Sequence, residues 1–490
     1  MSTTLRCSIQ ICSSISNTSN YTIMAKTQST PGVYIEEIND FPKAVVPVPT
    51  AVPAFIGYTE KAERGEESLR LVPTKINSMA EFERLFGGAP ATTFTLSNSD
   101  EAGVPYKLAV KDYFFTLYRQ LRIFYENGGS SCYIVSVGGY STEDGNPAVI
   151  SLETLQSGLA PLRKEKEPTM LLIPEAVHAP VRANHSNEDQ KATYQLQQQM
   201  LSHCGGDTKS RFAILDVRMD GASSEDPFYN IEPDITRFRK GIGSENLDWG
   251  AAYFPWLHTT AVTKDEVGPD NLDAASEIRP GPADALYATA MNDIRKYLNL
   301  LPPSAAMAGV YSMVDNSVGV FKSPANVRIG SVMAPAIEIN NSDQKDMNVP
   351  FDGKSINAIR SFPGQGVLVW GARTLDGNSL DWRYISVRRT VIFIEQSITN
   401  TVESCAFSPN SAETWTSIKT SISVFLTNFW KAGGLAGATP EQSFSVDVGL
   451  GSTMTATDIL EGIMRITVKV AITHPAEYIA LNFQQKMSEA

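Results

Sequence analysis

The chain has 490 residues, 42% of them hydrophobic and 19% charged, which is the composition of a folded, multidomain globular protein and excludes both disorder and a collagen-like repeat. Its 41 Lys and Arg against 53 Asp and Glu leave a net charge of −12, a poor balance for a protein whose main task is gripping phosphate backbones. Five cysteines (Cys7, Cys12, Cys132, Cys204 and Cys405), with no CxxC pair, exclude a disulfide framework or a cysteine zinc site. There is also no apolar run long enough to span a bilayer.

Residues 1–23 hold one Arg, no acid and many Ser and Thr, without the apolar core of a secretory signal; Met24 then opens what reads as an ordinary start, so residues 1–26 are expected to be a disordered leader or extension. Within residues 27–42, "VYIEEI" forms a short strand with imperfect alternation, Val33, Ile35 and Glu37 facing one way and Tyr34, Glu36 and Ile38 the other. Pro42, Pro47, Pro49 and Pro53 then preclude a helix and stiffen an extended arm that reaches a first buried strand at residues 54–58. A strand on a proline-stiffened arm pairs either with its own body or with a neighbour, and composition leaves both open.

From about 76 to 260 the pattern is α/β. Ser78 caps a short helix stopped by Gly87, and "YKLAVKDYFFTLYRQ" places Val110, Phe114, Leu117 and Leu121 at helical spacing. "CYIVSV", "TMLLIP" and "RFAILDV" are compact apolar runs, each preceded by a helix, as parallel strands covered on both faces require. "GAAYFPWL" is one more buried strand, 261–283 an exposed excursion, and the text from Pro282 to Leu300 a helix with a stripe of Leu286, Ala290, Ile294 and Leu298. The polar stretch 340–355 is the expected boundary between a 43–349 outer region and a 350–460 inner one. After it, "GVLVWGAR" and "WRYISVRRTVIFIEQSI" both begin strand-like. The longest patterned helix is 411–432, with Trp415, Ile418, Ile422, Phe425, Leu426 and Phe429 on one face and Thr416, Lys419, Ser423 and Thr427 on the other.

Residues 463–473 give the clearest period of all. Met464, Ile466, Val468, Val470 and Ile472 form a wholly apolar set against Arg465, Thr467, Lys469, Ala471 and Thr473, and Pro475 interrupts. Both chain ends are thus short, strand-capable and set off by proline.

Catalytic signatures are missing: no Walker A sequence, dinucleotide fingerprint, HExxH or GxSxG occurs. His178, Asp216 and His258 follow strand-like runs, where ligands gather in open α/β sheets, and make a metal-dependent α/β enzyme the remote alternative. Arg383, Arg388 and Arg389, with Arg360 and Arg373 near in sequence, read as a salt-bridged surface or as a charged lining that meets another protein. Trp370, Trp382, Trp415 and Trp430 read as core, with an interface role as the alternative.

"TPGVYIEEI" at 30–38 with "AVPAFIGYTEKA" at 51–62 resembles the amino-terminal signature of contractile tail sheath proteins of phages, R-type bacteriocins and phage-like injection systems. The resemblance recurs at 124–137, 213–216 and 251–257. It is strongest from "PPSAAMAGVYSMVDNSVGVFKSPAN" at 302 through "INAIRSFPGQGVLVWGARTL" at 356 to "WRYISVRRTVIFIEQSI" at 382, and closes with "FSPNSAETW" at 407 and the 461–481 region.

It implies a structural subunit, not an enzyme, of mixed α/β multidomain fold, with an inner α+β domain built from both chain ends and a larger α/β outer portion. Such subunits stack as a helical cylinder around an inner tube and contract to drive it through a target envelope, with no cofactor. Exchanged terminal strands link neighbours, and the matching residues here are Val33, Tyr34, Ile35, Glu36 and Glu37 at one end and Ile466, Val468, Lys469, Val470 and Ile472 at the other. Arg383, Arg388, Arg389 and Lys419 become candidates for contact with the tube or a neighbour. The implied partners are copies of the chain, the inner tube protein, and baseplate and terminal cap proteins, without nucleic acid or membrane insertion. Assembly is expected in the bacterial cytoplasm, within a phage tail or phage-like particle that is released or anchored. A non-contractile tail or baseplate component is the nearer alternative.

Overall fold

In the computed structural model the described residues are 44–478, apart from 100–102, 112, 143, 179–186, 220–229 and 282. They all fall in the unit Pro42–Ala490; the unit Met1–Phe41, and with it the leader and Val33 to Glu37, lies outside the described residues.

A nine-stranded mixed sheet organises the fold, with strand order Val327–Arg328, Gly366–Val369, Ile356–Phe362, Gly250–Phe254, Phe212–Asp216, Met170–Leu172, Pro53–Thr59, Cys132–Gly139 and Thr74–Ile76. Its centre is parallel, from Cys132–Gly139 across to Ile356–Phe362, and antiparallel strands close both edges. The continuous apolar runs read from the sequence are these central strands. All seven residues of Pro53–Thr59 and all five of Phe212–Asp216 and of Gly250–Phe254 are buried, because helices cover both faces. Alternation along each strand feeds two cores. Ala54, Ile56, Val135, Leu171, Leu215 and Ala252 point into one, whereas Phe55, Ile134, Leu172, Ile214 and Tyr253 point into the other.

Several helices form where the pattern places them. Met79–Phe86 starts at Ser78, whose side chain accepts from the Glu81 backbone N–H. Ala285–Leu298 buries Ala290, Ile294 and Leu298. Leu117–Glu126 ends at Asn127, and Gly128 (φ 93°) makes the left-handed turn that returns the chain to the sheet.

Three expectations are corrected. Residues 107–110 are a strand paired antiparallel with Phe94–Ser97, and the helix begins only at Leu117; in so short a window Leu108 and Val110 satisfy period two as well as they satisfy the helical period. The 340–355 connection contains the helix Asn341–Asn348, started by an Asn340–Asp343 capping box that its polar composition hid. The run "YISVRRTVIFIEQSI" is strand-like in composition but forms the helix Ile385–Glu403. Its β-branched residues reflect burial on several sides, and tertiary packing overrides their strand preference. The nine-stranded sheet also crosses residue 350, since Ile356–Phe362 and Gly366–Val369 pair into it.

Candidate assembly interface

The C-terminal part is built on two long helices. Ile385–Glu403 enters against the main sheet, and Ala412–Lys431 packs on its outer side through Phe393, Phe425 and Phe429, with ring centroids 5.5 to 5.8 Å from Phe393. Ile418, Ile422, Phe425 and Leu426 of the predicted stripe are buried, with Trp415 and Phe429 half-buried at its margins.

Next to Ala412–Lys431 lies a two-stranded antiparallel sheet, Phe444–Val448 with Ile466–Val470, in register Val446 to Val468. The period-two reading of the last strand is reproduced: Ile466, Val468 and Val470 are the less exposed set and Thr467 and Lys469 the exposed one. Burial of the apolar set is only partial within one chain, and Ile472, a little further on, is buried against Leu435. Among the described residues neither strand has a ladder partner on its other side, so both outer edges present unpaired backbone groups.

Charged side chains fix these elements to the sheet. Arg389 makes a two-pronged ion pair with Asp315 (2.6 and 3.0 Å), donates to the Thr50 carbonyl (2.9 Å) and lies 4.7 Å over the Tyr311 ring, whose hydroxyl meets that of Tyr253 at 2.7 Å. Arg388 pairs with Asp248 and is sandwiched between the rings of Trp249 (4.4 Å) and Trp382 (3.6 Å). Burial lowers its pKa to about 10. The extended arm also crosses this helix, where Val48 N–H donates to Ser397 Oγ at 3.1 Å.

Of the four cations singled out from the sequence, Arg388 and Arg389 are therefore spent within the subunit, each under one-tenth exposed. Arg383 is half-buried and donates to the Ser379 carbonyl, and Lys419 is exposed on the outer face of Ala412–Lys431 beside Thr416. Sequence reasoning missed Glu477, which pairs with Arg373 at 2.7 Å; no local pattern marks two residues 104 positions apart.

The strand-end trio does not assemble into a metal site. His178 is enclosed by Phe114 and Trp256, and burial holds its pKa down to about 3. Asp216 accepts from the Ser304 backbone N–H at 2.8 Å, with its pKa pushed up to about 7 by burial. His258 sits on the separate small sheet Leu257–Thr259, Leu300–Leu301 and Val332–Pro335. Among the described residues no group of three or more His, Cys, Asp or Glu is placed to hold a metal ion, and no helix is long and apolar enough to cross a membrane.

The C-terminal part thus combines open sheet edges with arginines whose charges are paired within the subunit. Comparison with known proteins identifies the C-terminal domain and the fold. Residues 378–486 match the phage tail sheath C-terminal domain. The fold matches the sheath complex of the extracellular contractile injection system PVC in its contracted state, at 27% identity and a TM-score of 0.61, covering 94% of this chain and 98% of that one. It matches the helical sheath of the anti-feeding prophage in its contracted state at 28% identity and a TM-score of 0.60, covering 94% and 100%. A chain of the six-fold symmetrised anti-feeding prophage baseplate matches at 28% identity, with the same coverage and TM-score. Curated protein sequences gave no match. Residues 378–486 thus carry the phage tail sheath C-terminal domain, and the chain as a whole has the fold of contractile sheath proteins, that of a structural sheath subunit.

Proposed function

We propose that this subunit polymerises into a helical cylinder around an inner tube and contracts to drive that tube through a target envelope, without enzymatic chemistry of its own. The observation that carries the reading is the two-stranded sheet Phe444–Val448 and Ile466–Val470, which has two open edges and a half-covered apolar face within a C-terminal part that matches the sheath domain. A strand donated by a neighbour satisfies such an edge, and 27–42, with Val33, Tyr34, Ile35, Glu36 and Glu37, is the segment of this chain suited to supply it. Ile466, Val468, Lys469, Val470 and Ile472 are the residues that receive it or continue the ladder into another subunit.

In this reading the N-terminal arm and the part of 350–490 beyond the sheet strand Gly366–Val369 make the linking layer, and the body built on the nine-stranded sheet projects outward. Lys419 and Thr416 on Ala412–Lys431, with Arg383, are the tube-facing or neighbour-facing candidates, because their side chains are not enclosed by the subunit. The partners are further copies of the chain, an inner tube protein, and baseplate and cap proteins, assembled in the bacterial cytoplasm. Negative-stain microscopy of purified recombinant protein tests the reading. Long hollow cylinders of uniform width are expected, and particles that remain small and monodisperse over a wide range of salt and concentration count against it.

A further inference from the structure

The C-terminal segment does not swing free from the last strand. After Val470, Ala471 N–H donates to Ser443 O (2.8 Å) and Ala436 N–H to Ala471 O (2.7 Å), while Thr473 Oγ1 donates to Gly433 O (3.0 Å). The His474 ring then meets Tyr384 edge-on, 5.9 Å between centroids. Three residues later the carboxylate of Glu477 arrives over the C-terminal end of the polar helix Asn341–Asn348 and the loop after Gly366–Val369.

Four donors converge on that carboxylate. Arg373 gives Nε to Oε1 (3.0 Å) and Nη2 to Oε2 (2.7 Å), Asn348 Nδ2 gives to Oε1 (2.6 Å), and the Tyr384 hydroxyl gives to Oε2 (3.2 Å). The same Asn348 amide reaches the Tyr478 hydroxyl at 3.2 Å. The guanidinium is positioned in advance: its Nη1 donates to Gly377 O (3.0 Å), and its backbone is held on both sides by the side chain of Asn357, a residue of the main sheet. Arg373 is 4% exposed at the side chain and Glu477 18%. Their charges reinforce each other, holding the Glu477 carboxyl below its ordinary pKa and the guanidinium above its own. A planar fork matched to a carboxylate, with both oxygens doubly served, is a binding site, not a chance surface pair.

We propose that Arg373, Asn348 and Tyr384 form a carboxylate site that holds Glu477 of the same chain, clasping the C-terminal segment to the main sheet so that residues beyond Tyr478 leave every subunit from a fixed point. Without the clasp the segment is loose from Thr473 onward. Its four extra residues of free chain add about 13 Å of reach and the matching disorder to whatever the tail joins. The clasp is a property of the single subunit, and only its consequence for assembly rests on the sheath reading.

Hydrogen exchange on the unassembled full-length chain tests the site directly. In Glu477→Ala the amide of Thr473, which donates to Gly434 O, should exchange at least tenfold faster while those of the central strands keep their rates; Glu477→Gln, which retains the shape and loses the charge, should fall between. Unchanged exchange in both variants overturns the proposal. Assembly then separates a clasp within one chain from a tail exchanged between chains. Arg373→Glu and Glu477→Arg should each lower the yield of pelleted cylinders, and the double variant should recover it. An equimolar mixture of the two single variants should not. Recovery in the mixture means that the site takes a neighbour's carboxylate and overturns the assignment. A double variant that fails to fold leaves the exchange comparison to decide, and a wild-type chain that forms no cylinders refutes the sheath reading while the exchange result still judges the clasp.

Discussion

Replacing Arg389 by Met keeps most of the side chain's length and removes the charge that ties the helix Ile385–Glu403 to the body. The loss is large because of what remains. Asp315 is 1% exposed at its side chain and Arg389 3%, so the variant buries a carboxylate whose two oxygens have lost donors at 2.6 and 3.0 Å. Breaking one member of such a buried pair costs about 3–5 kcal/mol, mostly the uncompensated charge left behind. The Thr50 carbonyl, which accepts from the same guanidinium at 2.9 Å, loses that donor as well, at about 1 kcal/mol or more. Arg389→Met should therefore destabilise the unassembled subunit by about 4 kcal/mol in a urea titration. Arg389→Met combined with Asp315→Leu should recover most of that, because no orphan charge remains and well-packed apolar side chains replace a buried pair at little net cost. Two results refute the reasoning: a single variant within about 1 kcal/mol of wild type, or a double variant as unstable as the sum of Arg389→Met and Asp315→Leu alone.

Val468→Asp puts a carboxylate on the half-buried apolar face of the last strand and should abolish pelleting of cylinders, whereas Lys469→Ser, on the exposed face, should cost under about 0.5 kcal/mol and still assemble; a sedimentation assay across a salt series with melts of both variants checks this, and the reverse order inverts the face assignment. Deleting residues 24–42 should leave a cooperatively melting subunit that forms no cylinders, and starting the chain at Met24 should leave assembly intact; electron microscopy of the two proteins decides between linking arm and core strand. Burial raises Asp216 from 3.8 to about 7, so its contribution to stability is fully present below the lower value and is lost as pH rises through the upper one. Urea midpoints of the unassembled subunit should fall as pH rises from about 4 to about 7 and level off above that, and Asp216→Asn should flatten that fall; an unchanged slope removes this carboxyl as its source.

The parts of this fold that repeat at a fixed period were legible from the sequence. Central strands announce themselves as unbroken apolar runs, Ala412–Lys431 by its stripe, and Ile466–Val470 by strict alternation, because each is set by one face meeting one kind of surroundings. Ile385–Glu403 was not, since it is buried on several sides and its period is erased: Arg388, Arg389 and Thr390 in its first two turns are as enclosed as Ile392 and Ile394. The arginines of that helix illustrate the limit for the candidate interface. A run of cations reads as surface in one dimension, and only the fold brings Asp248, Asp315 and two tryptophan rings around them.

The same contrast orders the contacts that join the C-terminal helices and tail to the sheet. Arg388–Asp248, at side-chain exposures of 7% and 19%, is as buried as Arg373–Glu477 at 4% and 18%, whereas Arg389–Asp315, at 3% and 1%, lies out of water. Charge pairs that dry are not released gradually, because partial separation strands two charges in a medium that solvates neither. Arg389–Asp315 fixes Ile385–Glu403 to the body in this way. The hairpin and the tail are attached differently, through half-buried apolar residues of Ile466–Val470, a few backbone hydrogen bonds at 471–473 and the Glu477 carboxylate at the surface of Arg373. Water can replace the apolar and backbone contacts in turn, and the four-donor Glu477 carboxylate after them. Opening therefore starts from the tail and the hairpin, and reaches the arginine-anchored helix last. Native-state hydrogen exchange should show amides of 466–473 opening at lower free energy than those of 386–397. The opposite order would mean that the buried ion pairs, and not the hairpin, are the compliant joint of the subunit.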